Sequence, residues 1–312
     1  MKGFLKIVQA IFTQVDDPFP GPAKAVRRLG GVATLLGAAV FGLAAAAAPA
    51  RVVSTNLCTD QLAMLIAAPG QLVSVSAVAR DPVSSAMARE AAAYPVNHGA
   101  AEEIFLLSPD LVLGGEFMRP DTRATLERLG LRVETLPIET SFAQSRANIL
   151  RIGALLGRED RAAALAAEMD AGLEGERDGE LDGGREAGRA ASPPGARPTA
   201  ALLYSGGYTS GAGTLADEIL QRAGLDNIAA RDGAQGLTRL PLERLAMEAP
   251  DLLVLGQNYG KPALAQEILR HPAVRALGAD RAAIADNLWV CGLPQSGAAV
   301  ARLRAWVEAR RP

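Results

Sequence analysis

E-E-I-F-L-L-S-P-D-L-V-L runs from Glu102 to Leu113, and E-R-L-A-M-E-A-P-D-L-L-V-L runs from Glu243 to Leu255. In each, a Glu stands seven residues before a Pro-Asp pair, with apolar residues at helical spacing between them. A short run rich in Leu and Val follows each pair. Proline ends a helix, and a short apolar run after it reads as a buried parallel strand. One helix-strand unit repeated roughly 140 positions apart implies two similar lobes, and a cleft between lobes is a place to bind a ligand.

Outward from these units, the chain from Arg51 alternates short apolar runs with Ala-rich amphipathic stretches. The spacing predicts strands at Val52–Ser54, Leu72–Val75, Leu111–Leu113 and Val133–Leu136. Between them it predicts helices at Thr59–Ala67, Ser84–Ala92, Ala101–Leu107 and Thr122–Leu129. Strands separated by helices of this length make βα units, hence an α/β fold with central parallel, Rossmann-like sheets. Ser141–Glu174 holds almost nothing but helix formers, broken near Gly157, and suits one stiff helix linking the lobes. Residues 175–198 turn to Gly, Glu, Asp and Arg and then Ser-Pro-Pro-Gly, the composition of a solvated insertion. A second lobe over 199–312 opens with a strand at Ala200–Tyr204 and a helix at Leu215–Ala223. It closes with a strand at Leu288–Cys291 and a helix from Ser296 to about Ala309.

The first 50 residues read as a cleaved secretory signal. Arg27 and Arg28 precede an apolar, small-residue stretch over 29–48 that ends near Ala48 or Ala50. A retained membrane anchor is the alternative, although Ala and Gly make the stretch weakly apolar. The arginine pair leaves general and twin-arginine export both open, and Asp16 and Asp17 leave the true start open. Export would place the protein in an oxidising compartment. A mature chain over 51–312 suffices for a first lobe at 51–140 and a second at 199–312. A formal charge of −2 carries no nucleic-acid footprint. Two cysteines are too few for a disulfide scaffold.

The opening R-V-V-S-T-N-L-C-T-D-Q-L, the twin E-x6-P-D-L units and T-S-G-A-G-T-L-A-D-E-I-L over 209–220 together resemble the periplasmic substrate-binding proteins of ABC importers for cobalamin, ferric siderophores and haem. The resemblance covers nearly the whole chain after Arg51. It implies two α/β lobes joined by one long rigid helix, capture of a metal chelate between them, and delivery to an inner-membrane ABC permease. No catalysis and no resident cofactor are implied, and the protein is expected to be a monomer. In that family one acidic residue from each lobe docks onto the permease, and the matching positions are Glu102 and Glu243. A negative charge at a helix N-terminus is favoured for local reasons too.

Ligands of α/β lobes meet the loops at the carboxyl ends of strands. Those loops offer Asn56, Arg80, His98, Phe117, Met118, Arg119, Tyr204, Tyr208 and Trp289 as cleft candidates. Tyr and Trp suit a macrocycle or catecholate, and Arg80 and Arg119 would favour an anionic ligand. A ferric siderophore or cobalamin is the leading ligand, with haem or another flat cofactor as the alternative. His98 stands near where haem-binding relatives carry an axial ligand, but its offset does not match cleanly. No H-x3-H, C-x2-C or acidic triad marks a metal site. Cys58 and Cys291, one per lobe, are open to three readings: separate buried residues, a bridge across the cleft, or a thiolate touching the ligand. A metal-cofactor-handling enzyme on the same fold is a further alternative. The chain has no phosphate loop of the G-x4-G-K-[ST] kind, and Gly211–Leu215 is a lone glycine-rich turn. A sensor or scaffold that receives a partner protein is the remaining reading.

Overall fold

A computed structural model describes residues 48–174, 197–256 and 264–310. The leader assigned to residues 1–50 lies outside them up to residue 47, and the insertion assigned to 175–198 lies outside them up to residue 196. No described helix is long and apolar enough to cross a membrane.

The first lobe is built on β1 (Val52–Ser54), α1 (Leu57–Ile66), β2 (Leu72–Ser76), α2 (Ala88–Ala91), β3 (Val96–Asn97), α3 (Ala101–Leu106), β4 (Leu111–Gly115), α4 (Pro120–Arg128) and β5 (Arg132–Leu136). Its five strands are all parallel, in the order β3-β2-β1-β4-β5. Two helices follow, α5 (Phe142–Leu156) and α6 (Glu159–Glu174). The second lobe holds β6 (Thr199–Leu203), β7 (Tyr208–Ser210), α7 (Leu215–Arg222), β8 (Asp226–Asn227), α8 (Ile228–Arg231), β9 (Leu237–Arg239), α9 (Leu242–Glu248), β10 (Leu252–Leu255), α10 (Pro272–Ala276), β11 (Asp280–Ala283) and α11 (Gly297–Glu308). Its parallel sheet runs β11-β10-β6-β8, and β7 and β9 form a separate antiparallel pair.

The repeated units occupy matching surroundings. Each begins with a short exposed-faced helix, α3 or α9, and buries Ile104 or Leu245 at the same offset. Each helix stops at a residue in the left-handed region, Ser108 (φ 48°) or Ala249 (φ 40°), the only non-glycine positive φ values among the described residues. A residue before proline is disfavoured in the right-handed helical region, and here the chain turns straight from helix into strand. Pro109 and Pro250 are buried. The next residue then ties a central strand: Asp110 Oδ2 accepts the N–H groups of Ala50 and Arg51, both at 2.9 Å. Asp251 Oδ2 accepts from the Thr199 N–H at 2.7 Å and its hydroxyl at 2.8 Å.

The link between lobes is a pair of helices where the sequence suggested one. Gly157 takes φ 64° and the Arg158 N–H returns to the Gly153 carbonyl at 2.8 Å, which ends α5 and reverses the chain. α5 starts against the second lobe, where the Phe142 N–H donates to Glu218 at 2.7 Å. It ends against the first, where the Leu156 carbonyl accepts from Gln71 at 2.9 Å. α6 runs back, from a bond of Arg161 to the Leu65 carbonyl to a close approach of Gly172 to Pro294 and Gly297. At 16 residues it spans about 24 Å. One apolar cluster continues from Val52 and Leu113 through Ile149, Leu165 and Met169 to Leu202, Leu220 and Val307.

Two predicted elements are shorter or absent. The helix expected over Ser84–Ala92 exists only at Ala88–Ala91, because the Asp81 side chain accepts from Val83 N–H and the Ser84 hydroxyl and holds a turn there. Leu288–Cys291 is not a strand. A 3₁₀ turn at Asp286–Leu288 leads into an irregular segment that buries Trp289 and Cys291, and the last strand is Asp280–Ala283.

Candidate functional site

Cys58, the second residue of α1, and Cys291, in the segment after the Asp286 turn, form a disulfide (S–S 2.06 Å, Cα–Cα 5.4 Å). It is a covalent tie between lobes across 233 positions of sequence. Asn56 sits beneath it as the N-cap of α1, its Oδ1 accepting from Cys58 N–H at 3.0 Å and Thr59 N–H at 3.4 Å. Capping and contact with Gly115 occupy that side chain.

Beside the disulfide stands Glu139, buried between β5 and α5. Its Oε2 accepts the Gly292 N–H at 2.7 Å and its Oε1 accepts from Asn148 Nδ2 at 3.3 Å. Burial pushes its pKa up, and these two donors pull against that shift. Gly292 has no room for a side chain: a Cβ there would stand 1.7 Å from Ser145 Oγ. That close approach lets the Cys291–Gly292 segment reach both Cys58 and Glu139.

A cavity of about 400 Å³ opens next to this cluster. Its walls are Tyr204, Tyr208, Leu215, Leu237, Trp289 and Val290, with Glu139, Ser205, Ser210, Thr214 and Asp286 as polar members. The volume falls in the range of small-molecule sites. Tyr204 and Trp289 meet edge to face, ring centroids 6.1 Å apart, and Tyr204 Oη shares a hydrogen bond with Ser210 Oγ at 3.1 Å. Burial, more than any other cause, pushes the Tyr204 hydroxyl up to about 12, so it stays a neutral phenol. Tyr208 comes from the β7–β9 pair and carries the Arg239 guanidinium over its ring at 5.1 Å. Among the described residues no lysine or arginine lines the cavity.

Three of the predicted cleft residues, Tyr204, Tyr208 and Trp289, therefore converge on one cavity. The first-lobe candidates do not line it. Arg80 is spent on local carbonyls: it donates to Ala91 at 3.3 Å, Ala92 at 3.4 Å and Tyr94, where it closes off the end of α2. His98 is exposed and pairs with Glu103, Nδ1 to Oε1 at 3.1 Å. Phe117 is 82% exposed on the loop after β4, and Arg119 is exposed at the N-cap of α4. Sequence reasoning passed over Glu139, Ser210 and Asp286. The one signal for Glu139 was indirect, a glycine directly after Cys291 marking a close backbone approach.

Glu102 and Glu243 occupy the first turns of α3 and α9, both exposed. Their neighbours are engaged, Glu103 with His98 and Arg244 with Asp232 at 2.7 Å, whereas Glu102 and Glu243 have no ion-pair partner among the described residues. Four residues on, Leu106 is 80% and Met247 76% exposed. Positions i and i+4 share a helix face, so each lobe presents a carboxylate above an apolar side chain.

The profile of the periplasmic binding protein family matches residues 52–283. No curated protein sequence matches significantly. Solved structures with the same fold include the periplasmic heme-binding protein RhuT of Roseiflexus sp. RS-1, at 22% identity over 84% of this chain and 99% of that one, with a TM-score of 0.66. The ABC-type Fe3+-hydroxamate transport system protein of Saccharomonospora viridis is 23% identical over 83% of this chain and 93% of its own, TM-score 0.59. The periplasmic vitamin B12 binding protein BtuF of Vibrio cholerae is 16% identical over 84% and 97%, TM-score 0.60. Similarity at this identity speaks to the two-lobe fold alone.

Proposed function

The chain belongs to the periplasmic binding protein family, and on that premise we propose that it captures an uncharged metal chelate, a corrinoid or a ferric hydroxamate, and passes it to an ABC importer. The observation that carries the choice of ligand is the wall of the second-lobe cavity. Tyr204, Tyr208 and Trp289 offer flat apolar area, and Ser205, Ser210 and Glu139 offer hydrogen-bond partners. An amide-rich or hydroxamate periphery meets such groups. A tris-catecholate or a propionate-bearing haem brings negative charge, whereas no cation is among the described residues that line the cavity and the Arg239 guanidinium beside it lies over the Tyr208 ring. Titrations followed by tryptophan fluorescence should show saturable quenching by cyanocobalamin or a ferric trihydroxamate. Tighter binding of haem or of a ferric tris-catecholate would overturn this choice of ligand.

Delivery falls to the paired helix tips. Glu102 with Leu106 and Glu243 with Met247 repeat one carboxylate-and-apolar pattern on both lobes, which suits a permease offering two equivalent basic sockets. A desolvated charge pair lost from such an interface costs about 2–5 kcal/mol. Reversing both charges, Glu102→Lys with Glu243→Lys, should abolish uptake and leave chelate affinity unchanged. A fall in affinity would place these residues in the binding site instead.

A further inference from the structure

The cluster at the cleft floor holds more donor chemistry than a disulfide needs. Cys58 Sγ, Cys291 Sγ and a Glu139 carboxylate oxygen all lie within 4.8 Å of one another. Each comes from a different part of the molecule: the first lobe, the second lobe and the connection into α5. Glu139 is buried with no ion-pair partner among the described residues. Its orientation is nevertheless fixed, since Gly292 N–H and Asn148 Nδ2 each take one lone pair and leave the remaining ones free. A carboxylate buried, aimed and without a counter-charge is what a cation site presents when its other ligands are engaged with each other.

We propose that Cys58, Cys291 and Glu139 form a latent metal site: when the disulfide is reduced, two thiolates and the carboxylate bind one thiophilic divalent cation such as Zn2+ or Cd2+. The step balances with an external dithiol. That reductant becomes a disulfide, the Cys58–Cys291 bond breaks, and each sulfur takes one proton and one of the two electrons delivered. The cation then replaces both thiol protons, which leave to solvent. Geometry permits it. Zinc–sulfur bonds of about 2.3 Å in a tetrahedral site set two sulfurs about 3.7 Å apart, a spacing within the 4.8 Å that encloses both sulfurs and the Glu139 oxygen. Two sulfurs and one oxygen leave a fourth position open, and Glu139 and Val290 place that position beside the cavity. Gly292 and Asn148 act as the outer shell that holds the carboxylate in place. The lobes would then be tied by a covalent bond in one redox state and by a metal in the other.

The test uses the full protein, reduced with dithiothreitol, freed of it anaerobically by gel filtration and titrated with Cd2+. One equivalent should bind with a thiolate-to-cadmium charge-transfer band in the ultraviolet, and the oxidised protein should show none. Cys58→Ser and Cys291→Ser should each remove tight binding. Glu139→Gln should keep the band and weaken affinity about tenfold or more. X-ray absorption of the Zn2+ form should show two sulfur and two lighter ligands, a readout that needs no variant to fold. Absence of the band in the reduced wild type, a shell of four sulfurs from two molecules, or unchanged affinity in Glu139→Gln would each overturn the proposal.

Discussion

The two lobes share a frame and differ in what they hang on it. In both, a helix ends in a left-handed residue, a buried proline turns the chain, and an aspartate ties the start of a central strand. At the carboxyl ends of the strands the likeness stops. The first lobe closes its loops on itself: Asn56 caps α1, Arg80 fills the end of α2, and His98 pairs with Glu103. The second lobe inserts the β7–β9 pair between β6 and α9 and uses Tyr204, Tyr208 and Leu237 to wall a cavity. On the proposed function, the repeated parts hold the fold and meet the permease, and ligand choice belongs to the part that is not repeated.

The comparison can be broken most forcefully at the buried carboxylates of the first helix in each lobe. Asp60 is pushed up to about 6, chiefly by burial, while its bonds to the Ser54 and Ser76 side chains and the Ser76 N–H pull it down. A folded pKa above the unfolded one gives stability that is complete below about pH 4 and is lost as pH rises through about 6. Asp60→Asn should therefore gain on the wild type by on the order of 3 kcal/mol between pH 4 and 7.5 in urea unfolding. Asp217 is also raised by burial, but Asn227 at 2.8 Å and Gln221 at 2.7 Å donate to it and it is less enclosed. Asp217→Asn should show the same sign and a smaller gain. A difference from wild type that ignores pH would refute the account for either site.

Next in size is the division of labour over the ligand. Trp289→Ala should weaken the best-binding chelate by about 2 kcal/mol, roughly thirtyfold. Phe117→Ala, on the exposed first-lobe loop, should change it less than about twofold. Equal losses from both would mean that the first lobe reaches over the ligand and that the asymmetry is false. The smallest effect tests the shared frame. Asp110→Ala and Asp251→Ala should each cost about 1–2 kcal/mol in chemical denaturation and add when combined. One costly and one silent substitution would show that the two ties are alike in geometry and unlike in weight.

Much of the frame was legible because it is written locally. Helical spacing before Pro-Asp, and a short β-branched and leucine run after it, fix each unit within a dozen residues. The same locality explains what was missed. Nothing within a few residues of Arg80 reveals that its guanidinium will find the carbonyls of residues 91, 92 and 94. The Leu288–Cys291 run has strand-like composition, but Trp289 and Cys291 are buried by partners from distant segments. β7 and β9 are three residues each and largely polar, too short to show a period. Glu139 looks like any loop acid until the fold brings Gly292 and Asn148 to it.

Because the buried apolar cluster passes from Val52 through Ile149 and Met169 to Val307 without interruption, neither half can loosen its interior alone. A guest seated against Trp289 should consequently slow amide exchange in β1 and β4 as well as in β6 and β10, since opening either half exposes what the other is packed on. On that expectation, the half away from the guest would still register its arrival.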